Sequence, residues 1–161
     1  MTNNDDHVAA VLGQWARERP DVDVTPMAVI GRLSRVARKV DDRLARNFAL
    51  HGIDAGTFDV LATLRRSGAP YTLSPKDLME SSMVTSSAIA QRLNKLEADG
   101  LIERTVSRSD GRGKQVHLTA KGRRIVDDVL PNHVAVERQI LEILSPNQQA
   151  TLAALLSALD R

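Results

Sequence analysis

Residues 96–122 read LEADGLIERTVSRSDGRGKQVHLTAKG, and the signals along this stretch decide the fold. Leu101 to Val106 alternates apolar and polar side chains, the period of a half-buried strand. Ser107 to Gly113 is charged and rich in Ser and Gly, which makes it a turn. Lys114 to Leu118 alternates again, so the chain returns on itself as a hairpin. Thr119 supplies a capping oxygen for a long helix that follows.

Working outward, the segment before the hairpin is helical. Thr85 caps a helix through Ile89, Leu93 and Leu96, and Gly100 ends it. Met83-Val84 is a turn. Ser74-Pro75 with Asp77 starts a short helix that ends near Ser82, and Tyr71 to Leu73 forms a very short strand. Asp54 caps an earlier helix through Leu61 and Leu64, stopped near Gly68 and Pro70. The order is helix, short strand, helix, turn, helix, strand, loop, strand. This is a winged helix-turn-helix over residues 54–118.

The outer segments are helical. Thr25 followed by Pro26 starts a helix in which Met27, Ile30, Leu33, Ala37, Val40, Leu44 and Phe48 recur at helical spacing until Gly52. Asp5 or Asp6 caps a first helix over 7–19, with Val8, Val11, Leu12 and Trp15 on one face. The helix after Thr119 meets Pro131, which is expected to kink or interrupt it. Ser145-Pro146 opens a last helix carrying Leu152, Leu155, Leu156 and Leu159. Residues 26–51 and 119–161 are too apolar to stand alone and are expected to form a helical dimerisation region. The fold class is mainly α with a small β-hairpin wing (α+β), one subunit over 1–161.

The chain has 161 residues, 42% hydrophobic and 26% charged, enough for a core without disulfides or a structural metal. It contains no Cys, and its four His are isolated. No Gly-rich phosphate loop, metal cluster or nucleophile motif is present. Neither an enzyme nor a cofactor is therefore expected. The start, Met1 to His7, is polar and acidic, unlike a secretory signal, and no apolar run approaches the ~20 residues that span a bilayer. The expected setting is the cytoplasm, with no membrane partner.

Net charge is only +2, but residues 84–124 hold nine Lys/Arg against four Asp/Glu, between flanks at 1–25 and 125–161 with two Lys/Arg against five Asp/Glu each. A basic centre between acidic ends points to a polyanion. On the helix from Thr85, the side chains of Ser87, Gln91 and Asn94 lie opposite the apolar stripe of Ile89, Leu93 and Leu96. Amides and hydroxyls on an open helix face are the groups that read base edges. Thr85 and Ser86 at the helix start suit phosphate, and Lys95 flanks them. At the hairpin tip, Asp110 can brace the loop and orient Arg112 toward a narrow minor groove, with Arg108 and Lys114 adding phosphate contacts. The expected partner is double-stranded DNA.

The pattern D-x-R-x5-L-T-x-x-G at Asp110 to Gly122, preceded by L-E-x-x-G-L-I-x-R at Leu96 to Arg104, resembles the MarR (multiple antibiotic resistance regulator) family from Thr25 onward. The resemblance implies a homodimer of winged-helix subunits on a pseudo-palindromic operator. Most members repress, and a small anionic or phenolic effector releases them. The extra first helix with Trp15 is similar to the urate-responsive branch. That likeness implies effector residues at Trp15, Asp59, Arg92 and Arg104 and a ligand such as urate or a related purine.

The residues themselves support part of this. Arg92 lies only about 65° from the centre of the buried stripe and points toward the protein body. Asp59 stands among Phe58, Val60 and Leu61 and needs a cation, for which Arg104 is the natural candidate. Two structural alternatives stay open: an Asp59–Arg104 salt bridge tying wing to body, and Trp15 as an anchor of its helix. An aromatic carboxylate or polycarboxylate effector would suit the same arginines.

Overall fold

The computed structural model describes residues 6–83, 86–106 and 114–160, without the side chains of residues 86–90 and 106. Its elements are α1 (His7–Glu18), α2 (Pro26–Leu50), α3 (Ala55–Arg66), β1 (Thr72–Leu73), α4 (Pro75–Ser81), α5 (Ser86–Ala98), β2 (Ile102–Val106), β3 (Lys114–Leu118), α6 (Ala120–Leu141) and α7 (Pro146–Leu159). The chain divides into two compact units, Met1–Arg43 and Leu44–Arg161.

In the first unit, Asp6 caps α1 by accepting from the Val8 and Ala9 amides at 3.0 and 3.4 Å. The Arg32 guanidinium of α2 donates to the same carboxylate and holds it below the usual carboxylate range. Val8 is the buried residue of α1. It packs where α2 has Gly31, whose missing Cβ would lie 3.2 Å from a Val8 methyl. Beside this contact is an open cleft of about 410 Å³, lined by Val11, Leu12, Met27 and Ile30 with Arg35 and Arg38. Val29, Ile30 and Val36 of α2 are more than half exposed.

The second unit holds the main core. Phe58, Val60, Leu61 and Leu64 of α3 are buried against Leu78 of α4, Leu93 and Leu96 of α5, and Val126 and Val129 of α6. Phe48 stacks on Phe58 with ring centroids 4.9 Å apart, and the His133 ring of α6 lies 4.7 Å from Phe58. The sheet is three-stranded and antiparallel in the order β1-β3-β2. The predicted hairpin is formed, with Ile102 paired to Leu118 and Val106 to Lys114. His117 is the fourth of the five residues of β3. Its Nδ1 is 2.7 Å from the Thr72 hydroxyl of β1 and its Nε2 is 2.8 Å from the Thr105 hydroxyl of β2.

The L-T-x-x-G segment has a concrete structural role. Thr119 Oγ1 donates toward the Gly100 and Leu101 carbonyls at 2.8 and 3.0 Å and accepts from the Gly122 amide at 3.0 Å. A Cβ on Gly122 would lie 2.2 Å from the Leu101 carbonyl oxygen. The start of α6 can therefore sit on the start of β2 only with glycine there.

Pro131 does not interrupt the helix: α6 runs unbroken from Ala120 to Leu141. Proline removes the amide that would bond the carbonyl four residues earlier, that of Asp127. Both residues are exposed, so water can take that carbonyl, while Val126 and Val129 keep the turn packed on the core. The last helix, α7, starts with a reciprocal Ser145–Gln148 capping box and has no buried residue despite its four leucines. Among the described residues, no helix is long and apolar enough to cross a membrane, and no group of acidic and histidine side chains is arranged to hold a metal.

Candidate functional site

The site is built around α5. Ser74 caps α4, accepting from the Asp77 amide at 3.1 Å, and Leu78 anchors that helix in the core. The turn that follows is gripped from α3 by two side chains. Asp59 accepts from the Met83 amide at 2.9 Å, and Arg66 donates to the Ser81 carbonyl. The end of α4 and Met83 are thus held by two side chains of α3 that stand about two turns apart along that helix.

Leu93 and Leu96 point α5 into the core, which leaves Gln91, Asn94 and Lys95 exposed together on the outer face. Amide donors and acceptors with a flanking ammonium can meet base edges and a phosphate from such a face. Ser86 and Ser87 open α5, and their side chains lie outside the described residues. So do Thr85, Arg108, Asp110 and Arg112 as whole residues. Lys114 is exposed at the first position of β3.

Arg92 turns inward, as its angular position requires. It pairs with Asp54, the N-cap of α3, whose Oδ1 also accepts from the Thr57 amide at 2.7 Å. Burial pushes the Asp54 carboxyl up, but the Thr57 amide and the Arg92 charge outweigh it and hold the group below the usual range. The guanidinium lies on Gly56, where a Cβ would be 2.3 Å from Arg92 Cζ. Its Nε is buried with no acceptor.

The expected partner of Asp59 was Arg104, and the structure corrects this. Arg104 donates from Nε to Glu97 at 2.9 Å and from its backbone amide to the other Glu97 oxygen at 3.1 Å. Glu97 is in the last turn of α5 and Arg104 is on β2, so the short turn through Gly100 brings them side by side. The hydrogen bond to Arg104 lowers the Glu97 carboxyl and raises the Arg104 guanidinium. The signal for this pair lay in the L-E-x-x-G-L-I-x-R run, which contains both residues.

Trp15 is in the first unit, 43% exposed in the last turn of α1, while Asp59, Arg92 and Arg104 are in the second. Within the second unit the three make separate contacts, to the turn before α5, to α3 and to the end of α5. Sequence reasoning missed Glu97, Arg66 and Gly56 in these roles, and it gave Asp54 only its capping part. It also missed a cluster on α6. Asp127 takes Arg65 at 2.7 Å and Arg123 at 3.5 Å, and both guanidinium groups lie about 5 Å from the centre of the Tyr71 ring.

The chain has clear relatives. Residues 51–113 match the family model described as MarR family. The regulator PecS of Dickeya dadantii is 40% identical over 154 residues, 96% of this chain and 93% of that protein. The repressor YetL of Bacillus subtilis is 25% identical over 92% of this chain and 88% of its own length. Among solved structures, a mutant MarR from E. coli complexed with operator DNA superposes with a TM-score of 0.73 at 25% identity, covering 85% of this chain and 95% of that one.

Proposed function

The chain belongs to the MarR family of DNA-binding transcriptional regulators, and from that premise we propose that it acts as a homodimeric repressor released by a small planar anion of the urate or purine class. Each subunit lays α5 in a major groove of the operator, with Gln91, Asn94 and Ser87 toward base edges and Thr85, Ser86 and Lys95 toward phosphate. The hairpin carries Arg112, oriented by Asp110, into the adjoining minor groove, and Arg108 and Lys114 neutralise backbone phosphate. Half-sites about 34 Å apart would match two such helices. A second copy would cover the apolar faces of α2 and α7 that the single chain leaves exposed.

The observation that carries the effector reading is Arg92. It lies on the DNA-reading helix, faces inward, and holds a buried donor with no acceptor. A planar anion with two adjacent acceptors suits a guanidinium fork. Asp59 holds Met83, ahead of α5, and Arg104 holds Glu97 in the last turn of α5, so a ligand acting near them would shift helix and wing together. Release requires that the ligand bind the two conformations differently, and a coupling of roughly 1–3 kcal/mol gives about 5–150-fold weaker operator binding.

The test is a thermal-shift panel of urate, xanthine, salicylate and citrate, followed by operator binding with each stabilising anion. The reading predicts that urate or xanthine raises the melting temperature and dissociates the operator complex, and that Arg92→Ala blunts both responses in a folded dimer. Stabilisation by salicylate or citrate alone would instead place the effector among aromatic carboxylates or polycarboxylates. A fully urate-responsive Arg92→Ala protein would remove the pocket.

A further inference from the structure

We propose that Asp54 is the internal anion an effector must displace from Arg92, which makes it the residue that sets the effector threshold. The inference rests on Arg92 being an effector residue and concerns a carboxylate that the site otherwise lacks a role for. Asp54 has two jobs in the structure. Its Oδ1 caps α3 through the Thr57 amide at 2.7 Å, and the same oxygen takes Arg92 Nη1. The cap survives without Arg92, because the Thr57 bond lies wholly within the start of α3. Asp54 can therefore surrender the arginine at no cost to its own helix.

Arg92 is held by one atom of its fork and is unsatisfied at another. Nη1 has the carboxylate and Nε has nothing. Gly56 makes this seat possible, since any Cβ there would occupy the space of the guanidinium. The side chain of Arg92 keeps about a quarter of its surface exposed and that of Asp54 about half, so the pair is reachable from solvent. An anion offering two acceptors satisfies more of the fork than Asp54 does and competes for it directly. Taking Arg92 from Asp54 also unties α5 from the first turn of α3. The internal carboxylate thus opposes the effector and favours the tied form of the helix.

The experiment is calorimetric titration of urate into the full-length wild type, Asp54→Asn and Asp54→Ser, each with its melting temperature. Asn and Ser cap helices about as well as Asp, so both variants keep α3 while removing the charge, and two variants guard against one failing to fold. The expected result is urate binding at least about five-fold tighter in both variants, with melting temperatures close to wild type. A merely structural cap would behave otherwise, because its loss lowers the melting temperature and does not improve affinity. Binding that is tight in the variants and undetectable in the wild type also supports the proposal. Wild-type binding with unchanged or weaker affinity in both variants overturns it and leaves Arg92 as an effector residue. No binding by any of the three overturns the effector reading and this inference together.

Discussion

At the scale of single residues, two glycines show why side-chain identity was readable and close approach was not. Gly122 follows Thr119 in a run whose capping role is plain, yet its reason for being glycine is the Leu101 carbonyl of another element, 2.2 Å from where a Cβ would stand. Backbone cannot yield as a flexible side chain can. Gly122→Ala is therefore expected to lower unfolding free energy by about 1–3 kcal/mol, read as a reduced urea midpoint. A wild-type midpoint would refute the packing of α6 on β2. At Gly56 the atoms nearest to an added Cβ belong to the far end of the Arg92 side chain, so the same change there acts on the ion pair more than on the fold. The inward turn of Arg92 followed from its angle on the helix. The partners of Arg92, Asp59 and Arg104 did not, because Asp54, the Met83 amide and Glu97 become neighbours only once the chain has turned.

At the scale of elements, periodicity and caps carried the reading well. Asp6, Asp54, Ser74, Thr119 and Ser145 all cap where their sequence context placed them. Pro131 does not interrupt α6, because the bond that proline removes falls on the exposed face of the helix. The elements are tied by carboxylates. Asp54 joins α3 to α5, Glu97 joins α5 to β2, and Asp127 joins α6 to α3. For Asp127 the hydrogen bond from Arg65 is the chief cause of its lowered pKa. Each of the three titrates below the ordinary 3.8 of Asp or 4.5 of Glu, so the folded chain holds fewer protons than the unfolded one. Their contribution is complete above those ordinary values and is lost as pH falls through the lowered ones. The urea midpoint should decline as pH drops from about 5 toward 3, and less steeply in high salt because the groups are largely exposed. A flat midpoint over that range would mean that these ties add nothing to stability.

At the scale of the whole molecule, the basic stretch 84–124 between acidic flanks takes in α5, β2, β3 and the start of α6, where Lys121, Arg123 and Arg124 stand. The order of elements made the winged helix legible in the sequence, and the charge placement is what the proposed DNA contacts rest on. The apolar faces of α2 and α7 were legible as periodic apolar side chains, and in the single chain they stay largely exposed, the surface that the proposed second copy would cover. The account depends on duplex DNA being held by the outer face of α5 and the hairpin tip. The most direct test is operator binding against salt concentration for wild type, Gln91→Ala and Arg112→Ala, with bulk DNA as competitor. Gln91→Ala should lose discrimination between operator and bulk DNA, by about 1–3 kcal/mol, while its salt slope stays the same. Arg112→Ala should weaken binding to all sequences and lower the slope by about one unit. Operator affinity, discrimination and slope identical to wild type in both variants would contradict the account.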